Sequence, residues 1–132
     1  MKTTYLCPKC RACINVAGNI VFSVKNGDNN EGLLLLHPNL GNYEAVHHES
    51  FRLEDGELSH FRCPACHASL HIGGGENLAK VIMIDESEQE YEIVFSRIWG
   101  EKSTHKIQGE NVELFGDDSA KYVDFINLSK FD

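Results

Sequence analysis

Two short copies of one turn, Cys7-Pro8-Lys9-Cys10 and Cys63-Pro64-Ala65-Cys66, constrain this chain more than any other feature. A Cys-x-x-Cys turn offers two sulfurs to one ion, and a pair of such turns completes a tetrahedral four-thiolate site. Proline fixes φ and removes a donor, which suits a tight turn whose remaining N–H groups point at sulfur. The similarity runs past the thiols, since Cys7 to Gly18 aligns without gaps on Cys63 to Gly74. An aromatic stands two residues before each first cysteine (Tyr5, Phe61), and alternating apolar pairs follow (Ile14 and Val16, Leu70 and Ile72). Alternation closed by glycine predicts strand, knuckle, strand in each copy.

The metal ligands expected are Cys7, Cys10, Cys63 and Cys66, holding one structural Zn2+ with no position left open for substrate. Iron is the first competitor, because four thiolates also hold a single iron, and Cys7-x-x-Cys10-x-x-Cys13 copies part of a ferredoxin run without its last cysteine and proline. Cys13 aligns with Ser69 and reads as a small buried or half-buried residue, with a sensor thiol as the alternative. His67, directly after Cys66, is placed to orient or neutralise the site. Metal is favoured over disulfides because the compartment expected is the cytoplasm, where thiols stay reduced. Met1 to Leu6 has no apolar signal region. The longest aliphatic run, Leu33 to Leu36, is far below the roughly 20 residues of a membrane span.

The 132 residues carry a net charge of −8, unevenly spread. Residues 1–25 contain Lys2, Lys9, Arg11 and Lys25 and no acid. Lys2, Lys9, Arg11 and Arg62 therefore read as local compensation for a thiolate centre, or else as a basic patch for an anionic partner. A mainly β chain is expected: a knuckle-bearing part over 1–75, with a long insertion between the knuckles, and an acidic β-rich part over 76–132 packed on it as a single domain. The triple glycine at 73–75 marks the junction.

Within that frame, Asn19 to Val24 reads as a strand and the turn formers of 26–30 as a hairpin or loop. Leu33 to Leu36 reads as a buried strand. Glu49 to Phe61 reads as a hairpin about Asp55-Gly56, with Leu53 facing Leu58 across a type I′ turn. Leu78 to Ile84 and Tyr91 to Trp99 read as a second hairpin with a solvated acidic tip, and further strands are expected at Thr104 to Ile107 and Val112 to Phe115. Asp118 to Leu128 leans toward a short helix burying Tyr122, Phe125 and Ile126, against a strand. Phe95 and Trp99 read as core.

Other motifs point nowhere specific. His47-His48-Glu49 lacks helical metal-protease spacing, and His60, His71 and His105 stand alone. The acidic segment Asp85 to Glu92 lacks the spaced oxygens of a calcium loop. The chain shows no Ser-His-Asp set, phosphate loop or dinucleotide fingerprint, so no catalytic residue is assigned.

At its two Cys-Pro-x-Cys knuckles the sequence resembles the zinc-ribbon superfamily, and the paired motif is similar to bacterial small proteins of the CpXC type, whose function is largely undefined. The resemblance covers residues 5–18 and 61–74 and implies a zinc-bound β ribbon on Cys7, Cys10, Cys63 and Cys66. Members of that superfamily work in transcription, translation or protein assembly. The expected role is a non-enzymatic, zinc-stabilised β domain that engages a protein partner. Nucleic-acid binding through the basic residues is the alternative, which the acidic charge disfavours, and a thiol redox switch is the third.

Overall fold

A computed structural model describes residues 3–72 and 75–122, with side chains at all of these except 75 and 76. Two antiparallel sheets pack face to face. The smaller contains β2 (Asn15–Val16), β3 (Asn19–Lys25), β4 (Glu31–Leu36), β5 (Ala45–His47) and β6 (His60–Arg62). The larger contains β1 (Thr4–Leu6), β7 (His71–Ile72), β8 (Gly75–Ile84), β9 (Glu90–Ser96), β10 (Thr104–Gln108) and β11 (Asn111–Phe115). Period-two burial makes the core: Phe22, Val24 and Leu34 face Tyr5, Val81, Met83 and Ile93. The rings of Phe22, Phe61 and Phe95 lock the sheets together, with centroids 5.2–5.5 Å apart.

The knuckle repeat is the visible part of a much longer one. Each knuckle joins a strand in one sheet to a strand in the other: β1 and β7 pair with the same strand, β8, while β6 and β2 pair with β3. Register is shared residue by residue. Tyr5 opposes Met83 as Phe61 opposes Val24, Phe22 opposes Leu34 as Val81 opposes Ile93, and Leu35 opposes Val46 as Val94 opposes His105. Even the hairpin tips match. Asn26 Oδ1 accepts from the N–H groups of Asp28 and Asn30, and Asp85 Oδ1 from those of Ser87 and Gln89, with Asn29 and Glu88 at φ 65° and 63°. The fold is thus two equivalent units, β1 to β5 and β6 to β10, that have exchanged their first strands, with β11 added to the edge of the second.

Strands expected at 19–24, 33–36, 78–84, 91–99, 104–107 and 112–115 are present, with β9 ending at Ser96. The run Leu33 to Leu36 is not uniformly buried, because alternation sends Leu34 inward and leaves Leu33 exposed. The hairpin expected over 49–61 does not form. Leu58 bridges Ile98 instead of Leu53, Trp99 N–H donates to Glu57 O, and β6 pairs with β3. At the turn only Gly56 has positive φ, 85°, so it is not type I′. The arm before it is held elsewhere, with Phe51 packed beside Gly32 and Arg52 O accepting from Asn26 Nδ2 at 2.8 Å. Phe95 and Trp99 pack against the core as expected. Ser119–Tyr122 forms a 3-10 turn. The remainder of the expected C-terminal helix, with Phe125 and Ile126, and Gly73 and Gly74 of the junction lie outside the described residues.

Gly116 connects β11 to that turn at φ 92°, and a Cβ there would run into Lys102 O and come within 2.5 Å of Tyr43 Oη. Gly116→Ala is expected to cost about 2–3 kcal/mol, measured by urea unfolding, because neither the backbone oxygen nor the left-handed φ can relax cheaply.

Beneath the same turn His105 is buried on the outer face of the larger sheet, Nε2 against Ser119 O at 3.1 Å. Burial lowers its pKa, outweighing the Ser119 and Val94 backbone groups that raise it. The unfolded chain then takes up the proton first, so this contribution is present above the ordinary value of about 6.5 and is lost as pH falls toward the folded value. His105→Gln should flatten the loss of stability between about pH 7 and 5 relative to the parent chain.

Candidate metal centre

The two knuckles are built alike. Tyr5 and Phe61 are buried in the core and hold the backbone immediately before Cys7 and Cys63. Arg11 N–H donates to Cys7 O at 2.9 Å and Cys7 N–H to Ala12 O at 3.0 Å; His67 N–H donates to Cys63 O and Cys63 N–H to Ala68 O at the same distances. Closing so tight a loop puts Arg11 and His67 in the left-handed region, at φ 62° and 64°. The N–H groups of Lys9 and Cys10 point at Cys7 Sγ (3.3 and 3.5 Å), and those of Ala65 and Cys66 at Cys63 Sγ (3.3 and 3.4 Å).

Exchange of the first strands brings the knuckles together. Cys7 Sγ lies 3.8 Å from Cys66 Sγ, Cys10 Sγ lies 3.8 Å from Cys63 Sγ, and all four sulfurs fall within 4.8 Å of one another. A tetrahedron with metal–sulfur bonds near 2.3 Å has edges of about 3.8 Å, so the donor set fits a metal ion. Cys7 and Cys63 are buried and Cys10 and Cys66 exposed, one of each per knuckle. The Ala12 N–H lowers the pKa of the Cys10 thiol, but desolvation and the thiols of Cys66, Cys63 and Cys7 outweigh it and push it up to about 11. The Cys10 thiol, crowded by the other three sulfurs, resists ionising, and a divalent cation would remove that conflict.

Cys13 is not in this group. It is exposed, which corrects the expectation of a buried or half-buried residue, and its Sγ donates to Asn15 Oδ1 at 3.0 Å. The ferredoxin-like run from Cys7 to Cys13 is therefore not assembled around one centre. His67 is exposed and contributes its backbone N–H to the knuckle. Arg11 pairs with Glu90 at 3.1 Å and Arg62 with Glu31 at 3.4 Å, so two of the four cations expected to compensate the thiolates already meet carboxylates. Lys9 is exposed, and Lys2 lies outside the described residues. His47 packs edge-on to Trp99, and His48 Nδ1 bonds Ser50, which leaves His47-His48-Glu49 without a shared ligand geometry.

Sequence motifs gave no sign of a second feature, a cavity of about 300 Å³ between the sheets. Its walls combine core residues of both sheets with two continuous stretches, 39–43 and 95–104, that lie far apart in the sequence. No helix long and apolar enough to cross a membrane occurs among the described residues. No protein-family model, curated protein or solved structure matches this chain, so the paired knuckles and the four-cysteine cluster carry its reading alone.

Proposed function

We propose that this chain is a non-enzymatic β module, fastened by one structural Zn2+ on Cys7, Cys10, Cys63 and Cys66, that engages a protein partner. The observation that carries the metal reading is the crosswise approach of sulfurs from two knuckles, each 3.8 Å, with paired N–H donors behind the buried thiolates. Zinc suits a four-thiolate tetrahedron with no open position and would neutralise the thiolates while tying the crossing strands together. Supporting a protein partner is the outer face of the smaller sheet. Val46 is 60% exposed and Leu33 56%, whereas His105, the register equivalent of Val46, is 0% exposed beneath the Ser119–Tyr122 turn. Against a nucleic-acid reading stand the net charge of −8 and the pairing of Arg11 and Arg62 with carboxylates.

Elemental analysis of natively purified protein should find one zinc per chain, lost in Cys63→Ser and kept in Cys13→Ser. Metal-free folded protein, or an iron-type visible spectrum, would sink the zinc reading. For the partner, affinity capture with the parent chain and with a Leu33→Asp/Val46→Asp form of equal zinc content should differ. Proteins retained by the first and lost by the second mark this face as the contact surface, and identical captures exclude it.

A further inference from the structure

The intersheet cavity has a definite chemical character. Phe22, Phe61 and Phe95 present one aromatic cluster to it, edge-to-face at Phe61 and tilted between Phe22 and Phe95, and Trp99, the chain's one tryptophan, lines it together with Leu40 of the loop between β4 and β5. Ser59 also lines it. That residue is 2% exposed and its hydroxyl has no hydrogen-bond partner among the described residues. The charged lining residues are engaged or peripheral: Glu101 accepts from Ser96, Lys121 and Tyr122, Arg97 meets His60 Nδ1 at 3.3 Å, and Asp55 and Lys102 are exposed.

We propose that this cavity is a binding site for an uncharged, two-ring aromatic small molecule whose single hydrogen-bonding group meets Ser59 Oγ. Size sets the ring count, since a cavity of about 150 Å³ holds one benzene and this one has about 300 Å³. The three phenyl rings and Trp99 set the aromatic character, because ring edges and faces offer complementary electrostatics to another ring. A buried hydroxyl without a partner is costly, and a ligand group bonded to it removes that cost. The site is independent of the metal reading, because none of the four cysteines lines it.

The probes are 2-naphthol and naphthalene, titrated calorimetrically into the metal-replete full chain, with amide shifts followed by NMR. 2-Naphthol should bind one to one, with Kd on the order of tens of micromolar, and shift the amides around Phe61, Phe95 and Trp99. Ser59→Ala should weaken 2-naphthol about tenfold and leave naphthalene unchanged. Leu40→Trp, which adds an indole to the lining from a partly buried loop position, should abolish binding of both while metal content is kept. Neither heat nor amide shifts at the limit of probe solubility would overturn the site, as would full binding by Leu40→Trp. Equal 2-naphthol affinity in Ser59→Ala would overturn the hydrogen-bonding assignment.

Discussion

Chelating the metal from Cys7, Cys10, Cys63 and Cys66 is expected to collapse the whole fold, lowering Tm by roughly 20 °C or more. Binding to structural four-ligand sites is worth on the order of 10–16 kcal/mol, whereas an entire domain of this size is stable by about 5–15 kcal/mol. The topology makes the loss global. The knuckles are the points at which the first strand of each unit crosses to the other sheet, so an ion on the four sulfurs would hold β1, β2, β6 and β7 at one place. Those four strands are only two or three residues long and contribute few ladder bonds of their own. Without the ion, Cys10 and Cys63, 53 residues apart, must be brought together by packing alone, against loop-closure entropy. The check is thermal unfolding and amide dispersion before and after chelation, with Cys63→Ser as the genetic counterpart and Cys13→Ser as the control. Acid should act in the same direction, since ligating thiolates must take up protons to release the metal. A chelated protein that keeps its dispersed spectrum and Tm would show that the sheets need no clamp.

The four-cysteine cluster was legible in the sequence because its parts are local: two thiols three residues apart, a proline to shape the turn, and an aromatic two residues upstream. The pairing of the knuckles was legible too, since two matched turns with two thiols each would complete one tetrahedral site. The larger duplication was hidden. Asn26 stands 19 residues after Cys7 and its equivalent Asp85 stands 22 after Cys63, with the register shift falling between His71 and Ile72. Beyond the knuckles and the Asn26 and Asp85 tips only burial parity is shared, and Phe22 and Val81, or Leu36 and Phe95, satisfy it equally well. The hairpin over 49–61 failed for a related reason. Asp55-Gly56 is a genuine turn signal, but the segment after it found longer-range partners in Ile98 and β3 that local turn chemistry does not encode. The cavity was illegible because concavity belongs to no segment.

Phe61→Ala is the second large effect expected, about 3–5 kcal/mol in urea unfolding of the metal-replete protein. Its ring is buried between Phe22 at 5.3 Å and Phe95 at 5.2 Å, so it touches both sheets at once. Truncation would leave a gap opening onto the existing cavity, with little nearby chain free to collapse into it. The equivalent aromatic gives the control. Tyr5→Phe keeps the ring and removes only the hydroxyl that donates to Pro38 O at 2.5 Å, a loss of about 1 kcal/mol. The two variants should also part at the metal. Phe61 O accepts from Leu70 N–H and its ring anchors β6 just before Cys63, so losing the ring loosens one buried ligand. Competition with a colorimetric chelator should then show zinc held about tenfold more weakly by Phe61→Ala and unchanged by Tyr5→Phe. If Phe61→Ala loses stability but holds zinc as tightly as the parent chain, the knuckle forms its site independently of the core. The clamp and the sandwich would then be separable units, and the chelation experiment would show local loosening in place of collapse.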